Sequence, residues 1–356
     1  VSATALWAGS YTADSGASGE GIAVLEIGTY GQLDRGALAV AADSPSFFAA
    51  HPTRPMIYAV SEHAGTVRAF RRSGTTGLEP SGREWRAGES ACHVAVDPAG
   101  RFLVACCWGD GTVVAYELDE AGEIINRLKA TRATDPYGRT ERQSRGHASL
   151  FLPDGRVITT DLGLDLVRVW RYEPGVGLVA DHEVTMPPDS EPRHLVRHPA
   201  GRVFVVGEVS CIVFVLAEGP DGRFALESST SALDEGPRLG SFAAEVSLDP
   251  SNRFLRVGLR GANRIATLEI HDAGRLLERL GDVDCGGDWP RHHLEVPGRL
   301  FVANQRSGTV AAFRIDQATG LPVGPISTTT IGSPAFLHVI PPVSSAGSAS
   351  AGGRSA

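Results

Sequence analysis

The sequence predicts an all-β chain folded as a seven-bladed β-propeller with four-stranded blades. Three observations carry this expectation. A turn-and-strand unit recurs along the 356 residues, its spacing suits a propeller blade, and two end fragments complete one another.

The first full unit reads HPTRPMIYAVSEHAGTVRAF from His51. Its counterparts open at Asp97 (DPAGRFLVACCWGDGTVVAYEL), Leu152 (LPDGRVITTDLGLDLVRVWRY), His198 (HPAGRVFVVGEVSCIVFVL), Asp249 (DPSNRFLRVGLRGANRIATLEI) and Val296 (VPGRLFVANQRSGTVAAFRI). Successive starts lie 46, 55, 46, 51 and 47 residues apart, the reach of four short strands and their turns. Within each unit, runs rich in Val, Ile, Phe and Tyr are bounded by Gly, Asp and Pro, which is strand and turn chemistry. The longer interval places an insertion at Asn126–Ser144, a polar, Arg-rich loop over one face.

Two fragments remain. The N-terminal LWAGSYT…GEGIAVLEI…GALAV supplies the later strands of a blade. The C-terminal SPAFLHVIPP, from Ser333, resembles SPSFFAAHP at Ser44, which opens the first full unit. Pairing them makes a seventh blade from both ends of the chain and protects edges that would otherwise be exposed. One propeller domain is expected over residues 1–342, followed by a disordered Gly/Ser/Ala-rich tail, 343–356.

Composition narrows the function. The net charge is −8, and no basic tail is present, so nucleic acid is not an expected partner. Lys129 is the single lysine, and no GxxxxGK[ST] string occurs, which sets aside Schiff-base and P-loop chemistry. Cys92, Cys106, Cys107, Cys211 and Cys285 are odd in number and irregular in spacing, so they read as buried strand residues in a reducing compartment. No apolar run is long enough for a membrane span, and VSATALWAGSYT lacks the regions of a signal peptide. A cytoplasmic monomer without membrane partners is expected.

The repeat also locates a site. The DPxGR-type turn joins the innermost strand of a blade to the next, through a proline that presets φ and a glycine that tolerates positive φ. Residues five or six before the proline and eight to ten after it then lie opposite each other, far from the turn. Upstream these are Phe47, His93, His147, Arg193 with His194, Glu245, and Arg291 with His292; downstream they are Glu62, Trp108, Asp161, Glu208, Arg260 and Gln305. Arranged radially, they meet at one mouth of the channel. The bland alternative is a ring of ion-pair staples between blades, for Glu62 and Glu245 especially. Convergent mixed charge in a cleft is the usual mark of a polar-ligand or catalytic site.

The motifs SPSF (Ser44), YAVSE (Tyr58), CHVAVDPAGRFL (Cys92), GHAS (Gly146), PRHLVRHPAGR (Pro192), LRGANRIA (Leu259), WPRHH (Trp289) and VANQRSGTVAAFRID (Val302) resemble those of the lactonase family of seven-bladed propellers. That family includes 6-phosphogluconolactonase-like proteins and carboxymuconate-cyclising enzymes. The resemblance implies a catalytic set of one His, two Arg and one Glu, which falls on His147, Arg193, Glu208 and Arg260. It departs at Arg145-Gly146-His147, where the family has a His-Ala-His run, and at the shortened turn EVPGRLF of the sixth unit.

Lactone opening by water needs a base, positive donors for the oxyanion, and an acid for the leaving alkoxide. Glu208 is a candidate base, and His147 a candidate acid or base. Arg193 and Arg260 suit an oxyanion or a substrate anion, and Arg291 is a further clamp. Glu208 is equally suited to a structural ion pair with either arginine. His93, His194, His292, Glu62, Asp161, Glu245 and Gln305 are expected to line the substrate site. His51 and His198 sit at turns, in an Asp-like capping role. His292, His293 and Glu295 do not share a strand face, and no carboxylate-rich set calls for a metal or another cofactor. The expected activity is hydrolysis of a small anionic sugar lactone. The alternatives are a muconate-type cycloisomerase acting on a carboxylic acid, and a non-catalytic propeller that binds an anion or a protein.

Overall fold

A computed structural model describes residues 4–234 and 240–341. The expected tail, 343–356, lies outside the described residues. Seven sheets of four antiparallel strands form the ring, and six of the blades run outward from the channel in chain order. Blade two, for example, runs Ala91–Val96, Phe102–Cys107, Val113–Leu118 and Ile124–Lys129.

The closing blade is built as expected from both ends. Pro334–Val339 is its inner strand, paired with Ala5–Ser10, which leads to Gly21–Ile27 and Leu33–Ala41. Trp7 sits opposite His338 and Gly9 opposite Phe336.

Each blade buries both faces against its neighbours, so its inner strands read as continuous apolar runs rather than alternating ones. Phe102–Cys107 is buried along its whole length. The outermost strands are largely exposed, as in Leu33–Ala41, where only Leu33 and Ala39 are buried. Apolar clusters fill the interfaces between neighbouring blades. Phe204, Val206, Val213 and Val215 of blade four, for instance, pack against Val246, Leu255, Val257 and Leu268 of blade five.

Turn chemistry sets the hairpins. Asp97 accepts from the Arg101 amide and side chain, and Gly100 takes φ 71°. Where histidine replaces aspartate, its ring nitrogen does the same work: His51 Nδ1 accepts from the amides of Thr53 and Arg54, and His198 Nδ1 from that of Ala200. The shortened sixth turn is a two-residue hairpin, with Val296 opposite Arg299 and Gly298 at φ 77°.

The insertion differs from its expected boundary. Residues 126–129 complete the outer strand Ile124–Lys129, because Asn126 and Leu128 continue the register with Glu117 and Ala115. The loop proper begins at Ala130. It is strapped to the mouth face by Gln143 Nε2 to the Gly109 carbonyl (3.0 Å), by Ser144 to Asp161, and by Arg142 to Asp165. All five cysteines are free and buried, and among the described residues no helix is long and apolar enough to cross a membrane.

The closing strand carries a direct test. Leu337, 1% exposed between blades six and seven, is expected to cost about 2–5 kcal/mol on replacement by alanine. Leu276→Ala, on the solvent face of an outer strand, should stay within about 0.5 kcal/mol. Urea denaturation of the two variants checks this, and equal midpoints would contradict the closure.

Candidate active site

One backbone device repeats at the mouth. The residue that follows a blade's second strand donates its amide to the residue just before the inner strand, or in blade one to Ser44, four residues ahead of the inner strand Phe48–Ala50. The pairs are Glu62 to Ser44 (3.1 Å), Trp108 to Ser90 (2.9 Å), Glu208 to Glu191 (2.8 Å) and Gln305 to Trp289 (3.0 Å). The acceptors share a left-handed backbone, with φ of 39°, 51°, 49° and 69° respectively. Such conformations are costly outside glycine and gather at functional sites.

The inner strands of blades two to six add a register shift at the same end, at Ala91/His93, Gly146/Ser149, Pro192/Leu195, Ala243/Val246 and Pro290/His292. A bulge breaks the strict alternation of a strand and re-aims its side chains. That is how the neighbours Arg193 and His194 both reach the channel, one above the other, and likewise Arg291 and His292.

The result is a cleft of about 210 Å³, lined by Tyr11, Glu62, Cys92, Trp108, His147, Arg193, Glu208, Arg260 and Arg291, with every blade contributing. Its size is below the ~300–1,000 Å³ of pockets for drug-sized ligands, so it suits a small molecule.

Glu208 stands between two guanidinium groups. Arg260 Nη2 lies 3.0 Å from Oε1 and Arg193 Nε 3.0 Å from Oε2. The Arg193 contact is an ion pair without hydrogen-bond alignment, for both Nε and Nη1 of Arg193 are buried without a hydrogen-bond partner, as is Arg260 Nε. Burial opposes ionisation of Glu208, but Arg260, Arg193 and Arg291 outweigh it and hold the carboxyl below its usual range.

Across the cleft, Glu62 accepts hydrogen bonds from Tyr11 Oη (2.7 Å) and Ser46 Oγ, with Arg291 Nη2 at 3.7 Å. Three guanidinium groups face two carboxylates, which leaves the cleft net positive inside an acidic protein. His147 is 4% exposed, and its Nδ1 has no partner. Burial, then Arg193, His194 and Arg291, hold its pKa well below the ordinary imidazole value, so the ring is neutral.

Beneath the cleft the channel is plugged. Phe47 packs on Phe336 and His93, with ring centroids 4.0 and 4.2 Å apart, and His194 and His292 complete the layer. Glu245 holds this layer, 2.8 Å from His194 Nδ1 and 3.5 Å from His292 Nε2.

The structure therefore brings His147, Arg193, Glu208, Arg260, Arg291 and Glu62 into the cleft wall. It does not bring in the rest of the expected substrate-binding set. His93, His194, His292 and Glu245 form the floor, because the inner strands narrow towards the axis. Asp161 faces away and accepts the amides of Arg145 (2.8 Å) and Leu164 (3.2 Å), so it caps its own turn. Gln305 sits behind Arg291 at 3.5 Å.

Tyr11 was outside the expected set. It follows the second strand of the closing blade and donates its amide to Ser333 (3.0 Å), whose φ is 35°, so it is the seventh member of the downstream series. The hairpin rule counts from a turn that this blade lacks; matching the strand end AGSYT to VVGEV and VANQR would have found it.

Three hollows elsewhere are larger, and one of them, of about 300 Å³, lies on the turn side of blades two and three beside Arg101, Arg156 and Tyr172. One of about 390 Å³ lies between blades seven and one and holds Arg68, paired with Glu84 at 3.2 Å. One of about 540 Å³ lies on the turn side of blades five and six. Its buried Arg256 is committed to Glu295 (2.8 Å), Thr267 and the Gly320 carbonyl. None of the three gathers charges from around the ring. Among the described residues, no group of three or more His, Cys, Asp or Glu side chains is arranged to hold a metal ion.

The channel imidazoles generate a pH prediction. His93, His147, His194, His292 and His293 are all held low, chiefly by burial, with His292 at about 3 and His293 at about 4. In the unfolded chain each titrates near ~6.5. Below that pH the unfolded chain binds protons that the folded state refuses. Stability therefore falls as pH drops, by up to ~1.4 kcal/mol per pH unit for each ring, until the folded-state values are reached. Above the unfolded value the rings are neutral in both states and contribute no slope. Urea midpoints measured at about pH 7, 6 and 5 should fall steeply, and a flat series would contradict neutral burial.

Comparison with known proteins agrees with this architecture. The profile of the family described as Lactonase, 7-bladed beta-propeller matches residues 5–339. The chain is 27% identical over 347 residues to the 6-phosphogluconolactonase of Bacillus subtilis (strain 168), covering 94% of this chain and 98% of that protein. It is 30% identical over 239 residues to an uncharacterised protein of Staphylococcus aureus (strain USA300), covering 65% of this chain and 69% of that one. Its fold superposes on the periplasmic gluconolactonase of Pseudomonas aeruginosa with a TM-score of 0.86 at 23% identity, over 96% of this chain and 100% of that one. A Lactobacillus plantarum protein superposes with a TM-score of 0.84 at 22% identity, over 94% of this chain and 99% of that one. The chain belongs to the lactonase family of seven-bladed β-propellers.

Proposed function

We propose that this protein hydrolyses the lactone of a small anionic sugar acid in the channel-mouth cleft. The observation that carries the reading is a neutral, buried imidazole beside two arginines with free donors, in a cleft of about 210 Å³. The relative named 6-phosphogluconolactonase supports the substrate class.

In this reading His147 takes a proton from water as the water oxygen attacks the lactone carbonyl carbon. A ring that is already neutral can accept that proton. Arg193 Nη1 and Arg260 Nε supply donors for the developing oxyanion, in a site that needs no reorganisation to present them. Glu208 is the anchor between them rather than the base: both of its oxygens are paired, and its basicity is reduced. Arg291 lies farther from its carboxylate and is available to the substrate's anionic group. Trp108, 40% exposed at the rim, offers an apolar face to a sugar ring.

Nothing in the cleft favours a cycloisomerase, and a narrow polar mouth does not suit protein docking. We read the protein as a cytoplasmic monomer of carbohydrate metabolism that acts without a metal. Its five unpaired thiols agree with a reducing compartment.

The test is hydrolysis of freshly generated 6-phosphogluconolactone, and of the unphosphorylated lactone, against their spontaneous rates with and without chelator. Acceleration insensitive to chelator is expected, with His147→Ala lowering kcat by about 10²–10⁴-fold. Wild-type rates equal to the spontaneous ones on both lactones would overturn the reading.

A further inference from the structure

Opening a lactone releases an alkoxide that needs a proton, and the groups named so far do not supply one. His147 starts neutral and receives a proton. Glu208 is ionised between its arginines. Guanidinium groups are very weak acids. The Cys92 thiol points at backbone carbonyls, 3.4 Å from that of His147.

One neutral O–H acid lines the cleft, and it belongs to Tyr11. The closing blade stands across the ring from blades three and four, so Tyr11 faces His147 and Glu208 from the opposite wall. Its Oη donates to Glu62 at 2.7 Å, which fixes the hydroxyl, and the Arg291 guanidinium lies 4.8 Å from its ring centroid.

Resting on the hydrolase reading above, we propose that Tyr11 is the general acid, protonating the ring oxygen as the lactone C–O bond breaks. The electron pair of that bond goes to the ring oxygen; the Tyr11 hydroxyl turns its proton from Glu62 to that oxygen, which becomes the product hydroxyl. Arg291 stabilises the phenolate left behind. The proton that His147 took from water returns through solvent to Tyr11. The new carboxyl group ionises, so the turnover consumes one water and releases one proton. Burial keeps the phenol protonated well above its ordinary range, and the acid is therefore loaded at any working pH. Glu62 is a positioning residue, and the left-handed backbone at Ser333 holds the Tyr11 amide in place.

Tyr11→Phe removes one oxygen and keeps the ring beneath Arg291. On 6-phosphogluconolactone its kcat should fall by about 10²–10⁴-fold with KM little changed. On dihydrocoumarin, whose leaving group is a phenolate that departs without a proton, the loss should stay below about tenfold. The aryl lactone thus also reports that the variant is folded. Equal losses on the two lactones, or a sugar-lactone kcat within about threefold of wild type, would overturn the role of Tyr11 and leave the hydrolase reading standing. A wild-type protein inactive on both lactones would remove the reading and the acid together.

Discussion

Everything at the channel mouth depends on the burial of each blade's two faces against its neighbours in a closed ring. A four-stranded sheet with two apolar faces has no stable existence in water. Seven of them in a circle cover one another, with Phe336 of the last strand sealing the closing blade against blade one and Leu337 sealing it against blade six. Closure fixes the radial position of every inner strand. It therefore fixes where His147, Arg193 and Arg260 point, although they lie far apart in sequence. No single blade could hold three guanidinium groups so close. The apolar interfaces supply the free energy that offsets their repulsion and desolvation.

The same closure makes the electrostatics of the cleft unlike those of its components in water. Arg193, 2% exposed, loses hydration that Glu208 replaces only in part, which leaves two of its donors unused. Unsatisfied buried donors are expensive, and they are worth keeping where a ligand oxygen completes them. The histidine and phenylalanine floor stops water from entering along the axis from below. The cleft is thereby a closed-ended cup of positive potential rather than a pore.

Much of this was legible in the sequence, for identifiable reasons. Each DPxGR turn fixes which strands pair, and pairing fixes which residues reach the mouth. Glu62, Arg193, Glu208 and Arg260 therefore follow from counting. Roles were harder, because they depend on depth and partners rather than on position in the hairpin. Asp161 lies one residue short of the place that Glu208 takes, opposite Gly146 at the very end of its strand as Gly207 is opposite Pro192, so it turns to the amides of Arg145 and Leu164 instead. Glu245 and His194 are one residue too deep and bind each other. Tyr11 escaped because its inner strand lies more than three hundred residues away, so its hairpin has no turn to read.

A substrate anion would change the cleft it enters. His147 is kept neutral first by burial and then by the guanidinium groups of Arg193 and Arg291. A bound phosphate or carboxylate offsets those charges, so the imidazolium that forms as water attacks is resisted less when substrate is present. On the hydrolase reading, the arginines that orient the substrate would thus make its charge part of the base. A neutral lactone of the same shape would bind beside the same His147 and leave it a weaker proton acceptor. At the rim, the guanidinium carbon of Arg145 lies 4.0 Å from the Trp108 ring centroid. On the hydrolase reading, this permanent charge at the entrance would draw an anion inward before the buried arginines hold it.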